Sequence, residues 1–248
     1  MDLRRNLALH KSLKTIVYIL FNIAKDLMSI HNRGMIHRDL HSGNILQNEY
    51  DESYISDLGI SVLADQKSQN DGIYGVLPYI APEVLNGNPY SKASDIYPFG
   101  VIMWELALSR PIYSEETYCQ IDLIRMIALQ GLRPFIPDDL PQFYRNLMVR
   151  CWDQNPLLRP NAEEILSQLW NWHINSNIQK EIDKYDQTTC NEEIKDNTQY
   201  NPELYTSKFI RTDVITNKSF ANVIYHYYIY YSRFSIILFS FLFYIMFY

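Results

Sequence analysis

Residues His37-Arg38-Asp39-Leu40-His41-Ser42-Gly43-Asn44 place an aspartate and an asparagine five residues apart in a polar stretch. No other feature constrains the chain as much, because the pair is useful only in a fold that aims both side chains into one cleft. The carboxylate can accept a proton from a hydroxyl nucleophile, and the amide oxygen suits a hard divalent cation that bridges phosphates. Alone, the stretch is also compatible with a loop that uses Asp and Asn as turn formers.

More motifs follow in a fixed order. Asp57-Leu58-Gly59 begins thirteen residues after Asn44, and Ala81-Pro82-Glu83 comes next. Ser94-Asp95-Ile96-Tyr97-Pro98-Phe99-Gly100 opens an apolar run, and Cys151-Trp152-Asp153-Gln154-Asn155-Pro156 precedes Arg159-Pro160. With these motifs the chain resembles the eukaryotic protein kinase family, specifically its larger C-terminal lobe, over roughly residues 1 to 172. Leu58 stands where the family commonly has Phe. The five fixed positions of the first motif alone would match by chance with a probability of about 10⁻⁴. A small-molecule phosphotransferase of the aminoglycoside kind also carries a loop with Asp and Asn, but it lacks the Ala81-Pro82-Glu83 and Cys151 to Pro160 signatures.

The resemblance implies a mainly α fold: the C-terminal lobe of the α+β kinase fold without its five-stranded N-terminal lobe, since only 36 residues precede His37. It also implies roles. Asp39 is the catalytic base, or the group that orients the substrate hydroxyl. Asn44 and Asp57 are Mg²⁺ ligands, and Leu46 packs under the adenine of ATP. Arg38 pairs with a phosphorylated residue of the activation segment, for which Ser61, Ser68 and Tyr74 are acceptors. His37 and Gly59 complete their motifs as structural positions. Glu83 and Arg159 form a structural ion pair, and Asp95 is a buried anchor for the catalytic loop.

The chain departs from the family pattern in several places. His41 occupies the position at which serine/threonine kinases carry Lys against the transferred phosphate. A protonated imidazole could supply that charge, although its ordinary pKa of about 6.5 leaves it mostly neutral at pH 7. Gly75-Val76-Leu77-Pro78-Tyr79-Ile80 looks like the substrate-facing loop of serine/threonine and tyrosine-kinase-like enzymes, with Val76 where many have Thr. Pro98 costs a hydrogen bond if it lies past the first turn of its helix. No Gly-rich loop, strand Lys or partner Glu is present, so the expectation for the isolated chain is a weak or inactive kinase.

Hydrophobic periodicity predicts the elements. Apolar residues at 16, 19, 20, 23, 24, 27 and 30 form one stripe of a helix over Thr15 to His31, with Gly34 as a left-handed exit. Ile45-Leu46-Gln47 and Tyr54-Ile55-Ser56 read as a hairpin. Residues 57 to 83 form the activation segment, with a mobile loop over 65 to 72. Ile96 to Leu106 suits a helix buried on all sides, and 121–129, 143–152 and 162–170 read as further helices, the last with an Asn161/Glu164 capping box.

Residues 173 to 219 are polar and read as a disordered linker. Residues 220 to 248 are apolar and hold seven of the chain's 20 tyrosines. The last 15 residues, Phe234 to Tyr248, carry no charge. They read as a short membrane anchor, or as translated AT-rich non-coding sequence. The net charge of −6 leaves no basic footprint for nucleic acid. Three scattered cysteines, at 119, 151 and 190, fit a reducing cytoplasmic compartment. Charged residues before any apolar run exclude a signal peptide.

The function expected is transfer of the ATP γ-phosphate to protein Ser or Thr hydroxyls in signal transduction, with ATP and Mg²⁺ as cofactors and a protein as substrate. The alternative is a non-catalytic, kinase-shaped docking module, tethered to a membrane through residues 234–248.

Overall fold

A computed structural model describes residues 1–9, 11–63, 73–114, 118–189 and 202–210. The chain divides into two compact units, Met1–Thr212 and Asp213–Tyr248. The second lies outside the described residues, and with it the expected anchor at 234–248. The expected mobile loop at 65–72, Ser68 and Cys190 also lie outside them.

Helix α1 (Leu13–Asn32) carries the predicted stripe, and all seven of its apolar positions are buried. It starts two residues earlier than predicted because the Ser12 side chain accepts the Thr15 N–H. Gly34 follows in the left-handed region, at φ 74°. The next strand, β1 (Met35–Ile36), leads into the His37 loop. The hairpin then forms from β2 (Ile45–Gln47) and β3 (Ser53–Ile55), with Ile45 opposite Ile55. Met1 adds to it by exchanging backbone hydrogen bonds with Gln47 in both directions. Strand β4 (Val62–Leu63) returns to pair antiparallel with β1, so the hairpin stands between two paired strands at the root of the loop.

After β5 (Ile73–Gly75) and the short helix α2 (Pro82–Leu85) comes α3 (Lys92–Leu108), the centre of the core. Every residue from Ser94 to Leu106 is buried, as the near-continuous apolar run requires. Gly100 permits the contact with α5 (below) because a Cβ there would stand 2.9 Å from the Cys151 Cβ. Ser91 and Ser94 form a capping box at its start. Pro98 therefore lies well past the first turn, where the N–H that would bond the Ser94 carbonyl is missing. Helices α4 (Gln120–Leu129), α5 (Gln142–Cys151) and α6 (Ala162–Ile174) complete the helical body. At α6 Asn161 Oδ1 accepts the Glu164 N–H as expected, but the Glu164 carboxylate accepts from the Asn161 side-chain amide and not from its backbone N–H.

The expected linker over 173–219 requires correction. Residues Ser176–Thr189 form helix α7, and Lys208–Ile210 form strand β6. Although α7 is polar overall, Ile178, Ile182 and Tyr185 recur at helical spacing, and Ile182 is fully buried. Asp186 on this helix accepts the Leu13 and Lys14 N–H groups, so it covers donors that the first turn of α1 leaves without intrahelical partners. Strand β6 pairs antiparallel with β5. Among the described residues no helix is long and apolar enough to cross a membrane.

Candidate active site

The loop between β1 and β2 is held by one carboxylate. Asp95 on α3 is buried and accepts the His37 N–H at 2.8 Å, the Arg38 N–H at 2.9 Å and His31 Nε2 at 2.9 Å. This grip keeps Arg38 at φ 72°, in the left-handed region that a long side chain avoids. The turn aims Asp39 inward. Its own N–H donates to His37 Nδ1 at 3.3 Å, while His37 Nε2 donates to the Ser56 carbonyl at 3.1 Å. The Asn44 amide nitrogen donates to the Asp39 carbonyl at 2.9 Å, which leaves the amide oxygen as the atom available to a cation. Ser56 donates both its N–H and its hydroxyl to the Asn44 carbonyl, each at 2.9 Å. The hairpin register thus brings Asn44 beside the residue that precedes Asp57.

Asp57 lies at φ 61° and is exposed, and its Oδ1 accepts the Gly59 N–H at 3.3 Å. One exposed carboxylate and one amide oxygen match the donor set of Mg²⁺, which draws its remaining ligands from phosphate and water. No group of three or more His, Cys, Asp or Glu side chains arranged to hold a metal ion exists among the described residues, so a closed protein cage for a metal is absent there. Leu46 is about half exposed, opposite the similarly exposed Tyr54 on the hairpin.

Asp39 and His41 are buried side by side. Burial pushes the Asp39 carboxyl up, but hydrogen bonding and charge from His41, a hydroxyl from Ser207 and the charge of His37 together hold it below its ordinary value. The His41 imidazole is pulled below its ordinary 6.5, by burial first and by the Arg4 and His37 charges, against the attraction of Asp39. Arg4 Nη2 lies 3.1 Å from His41 Nδ1. A guanidinium only donates, so Nδ1 accepts and the proton sits on Nε2. At neutral pH His41 is therefore a neutral Nε2–H donor, and not the cation that a lysine substitute would provide.

Arg4 belongs to a group that the sequence motifs do not reveal. Its Nε donates to Ser42 Oγ, and Ser42 Oγ stands 2.9 Å from the Tyr79 hydroxyl. Tyr79 donates to the buried Glu105 at 2.6 Å. Burial raises the Glu105 carboxyl against the bond from Tyr79 and the charge of Arg4. Its Oε2 has no partner among the described residues.

Arg38 stacks over the Tyr90 ring at 5.5 Å, and its Nε is buried with no partner among the described residues. Of the acceptors expected for it, Ser61 donates to the His37 carbonyl at 3.5 Å, and Tyr74 is exposed with its carbonyl bonded to Tyr90. Glu83 and Arg159 meet through two parallel hydrogen bonds of 2.7 Å. Arg159 also donates to the Ala93 and Asp153 carbonyls, which ties α2 to the start of α3 and to the segment before α6.

The family model for protein tyrosine and serine/threonine kinases matches residues 2–169, which takes in every one of these positions except Ser207. The chain belongs to the protein kinase family. Similar kinases include the serine/threonine/tyrosine-protein kinase HT1 of Arabidopsis thaliana, 31% identical over 158 residues, which cover 64% of this chain and 40% of HT1. A probable serine/threonine-protein kinase of Dictyostelium discoideum is 38% identical over 158 residues, 63% of this chain and 11% of its own. The dual specificity protein kinase zak2 of the same organism is 34% identical over 180 residues, 62% of this chain and 27% of zak2. The kinase chain thus spans two fifths or less of the length of these relatives.

Proposed function

We propose that this kinase transfers the γ-phosphate of ATP to serine or threonine hydroxyls of a protein substrate. The observation that carries this conclusion is the buried Asp39 carboxylate, whose Oδ2 accepts an aliphatic hydroxyl, that of Ser207, at 2.8 Å. An acceptor hydroxyl held there is oriented by Asp39, which takes its proton at Oδ2 as the oxygen becomes a nucleophile. Such a group contributes about 10²–10⁴ in rate. The depressed carboxyl pKa keeps Asp39 ionised and ready for that proton at neutral pH. His41 Nε2–H lies close enough to hydrogen-bond the same hydroxyl oxygen, at 3.4 Å, and so helps to fix its direction.

Asn44 and Asp57 would hold Mg²⁺, and Leu46 would offer its exposed face to the adenine. Bound Mg–ATP supplies the phosphoryl group and neutralises charge on it. Asp95 positions the loop through backbone bonds, and the Glu83–Arg159 pair supports the substrate-facing segment. The similar kinases named for serine/threonine or serine/threonine/tyrosine transfer support an aliphatic hydroxyl as acceptor.

Mg–ATP should raise the melting temperature of the purified chain, and Asp57→Ala should remove the shift. No shift at millimolar Mg–ATP would overturn the assignment for this polypeptide and favour the docking module instead.

A further inference from the structure

The acceptor hydroxyl on Asp39 belongs to the chain itself. Ser207 immediately precedes β6, which lies antiparallel to β5 with Gly75 opposite Lys208 and Ile73 opposite Ile210. The segment is seated, not draped. Leu204, Tyr205 and Ile210 are buried, the Tyr205 hydroxyl donates to the Ile112 carbonyl, and Arg4 Nη1 donates to the Tyr205 carbonyl at 2.7 Å. Arg4 also faces the Tyr205 ring at 5.4 Å. These contacts hold an extended peptide on the activation segment by main-chain pairing, the way a strand-adding ligand binds a sheet edge. They leave one hydroxyl, Ser207 Oγ, 2.8 Å from Asp39 Oδ2 and 3.4 Å from His41 Nε2.

We propose that residues 202–210 are an internal acceptor strand and that Ser207 is phosphorylated in cis, which then releases the strand. The proposal rests on the transfer activity proposed above. In the step, Ser207 Oγ forms a bond to the γ-phosphorus of Mg–ATP while the bond from that phosphorus to the β–γ bridging oxygen breaks. ADP leaves with the electron pair, and the hydroxyl proton passes to Asp39 and on to water. The product places a phosphate of about −1.5 to −2 charge against the Asp39 carboxylate in a buried site. Like charges at that distance repel, so the phosphorylated strand leaves β5 and opens Asp39 to other acceptors. Before transfer the same strand blocks them.

The test follows the full chain in two ways. In the first, the chain is incubated with Mg–ATP and its phosphates are mapped by mass spectrometry. Phosphate should appear on Ser207 with a first-order rate constant that does not change over a tenfold range of protein concentration, and Asp39→Asn should lower the rate at least 10²-fold. A rate constant that rises with concentration overturns transfer in cis. Transfer to other residues or to added protein, with Ser207 unmodified, overturns the internal acceptor and leaves the kinase activity standing. No phosphate anywhere and no Mg–ATP thermal shift overturn both. The second readout needs no nucleotide. Amide hydrogen exchange at residues 73–75 and 208–210 should be protected in the unmodified chain, retained in Ser207→Ala, and at least tenfold faster in Ser207→Glu. Unprotected amides in the unmodified chain, or equal protection in Ser207→Glu, overturn the strand and its release.

Discussion

Replacing Asp95 by Asn should remove the anchor of the catalytic loop with almost no change in volume. The carboxylate accepts three hydrogen bonds, from the N–H groups of His37 and Arg38 and from His31 Nε2. An amide has only one acceptor oxygen, so at least one buried N–H then faces an NH₂ group. The lost charge-assisted bond is worth about 1.5–3 kcal/mol, and the orphaned donor adds about 1–3 kcal/mol. Against this, Arg38 leaves its left-handed conformation and recovers about 1–2 kcal/mol. The net expectation is a loss of about 0.5–5 kcal/mol with a middle near 3 kcal/mol, which in a unit of this size lowers Tm by roughly 1–20 °C. Urea denaturation followed by tryptophan fluorescence measures it. The strain also predicts a partial rescue, because Arg38→Gly in the Asp95→Asn background removes the drive for the loop to relax. No loss at all for Asp95→Asn, or a double variant less stable than the single one by the full effect of Arg38→Gly alone, would refute the reasoning.

Other consequences are more local. Arg159→Met strands the Glu83 carboxylate and should cost about 3–5 kcal/mol, whereas Glu83→Met with Arg159→Met should recover most of it; additive losses in urea denaturation would contradict the pairing. The folded chain holds the His41 imidazole below its ordinary 6.5, so the unfolded chain takes up a proton first as the medium is acidified. The stability His41 contributes is complete above pH 6.5 and is lost as pH falls through its folded value, at no more than about 1.4 kcal/mol per pH unit. Asp39 adds a loss of the same sign below 3.8, while the raised Glu105 carboxyl acts oppositely and loses stability as pH rises from 4.5 through its folded value. His41→Asn should therefore flatten the Tm profile between pH 7 and pH 5, and an unchanged slope would speak against a buried neutral imidazole. Pro98→Ala restores an N–H to the middle of α3, worth up to about 3 kcal/mol, less the cost of the void left where the buried ring stood, so the net change in the same denaturation assay should be stabilising.

The parts of this fold that were legible are those in which one element's own pattern decides its burial. The stripe from Ile16 to Ile30 and the unbroken apolar run at Ile96 to Leu106 each announce a helix and the faces it buries. Asp39, Asn44, Asp57, Glu83, Asp95 and Arg159 could be singled out in the sequence because each sits in a local motif. What escaped depends on partners distant in the chain. Helix α7 buries little beyond Ile182 and reads as polar on average, so its apolar spacing at 178, 182 and 185 was hidden by the charges around it. Strand β6 is held by backbone bonds to β5, which no side-chain pattern encodes. Arg4 and Ser207 lie in stretches with no motif, and they become site residues only because the chain brings them 37 and 168 residues away in sequence to His41 and Asp39. The neutral state of His41 at pH 7 was legible from its ordinary pKa, but the burial and the Arg4 contact that push it further that way were not.

The most direct test of the central claim is phosphoamino-acid analysis after the full chain is incubated with γ-labelled ATP and Mg²⁺. Phosphoserine or phosphothreonine that falls at least about 10²-fold in Asp39→Asn is the predicted result. Label on tyrosine alone, or transfer undiminished by Asp39→Asn, would contradict it.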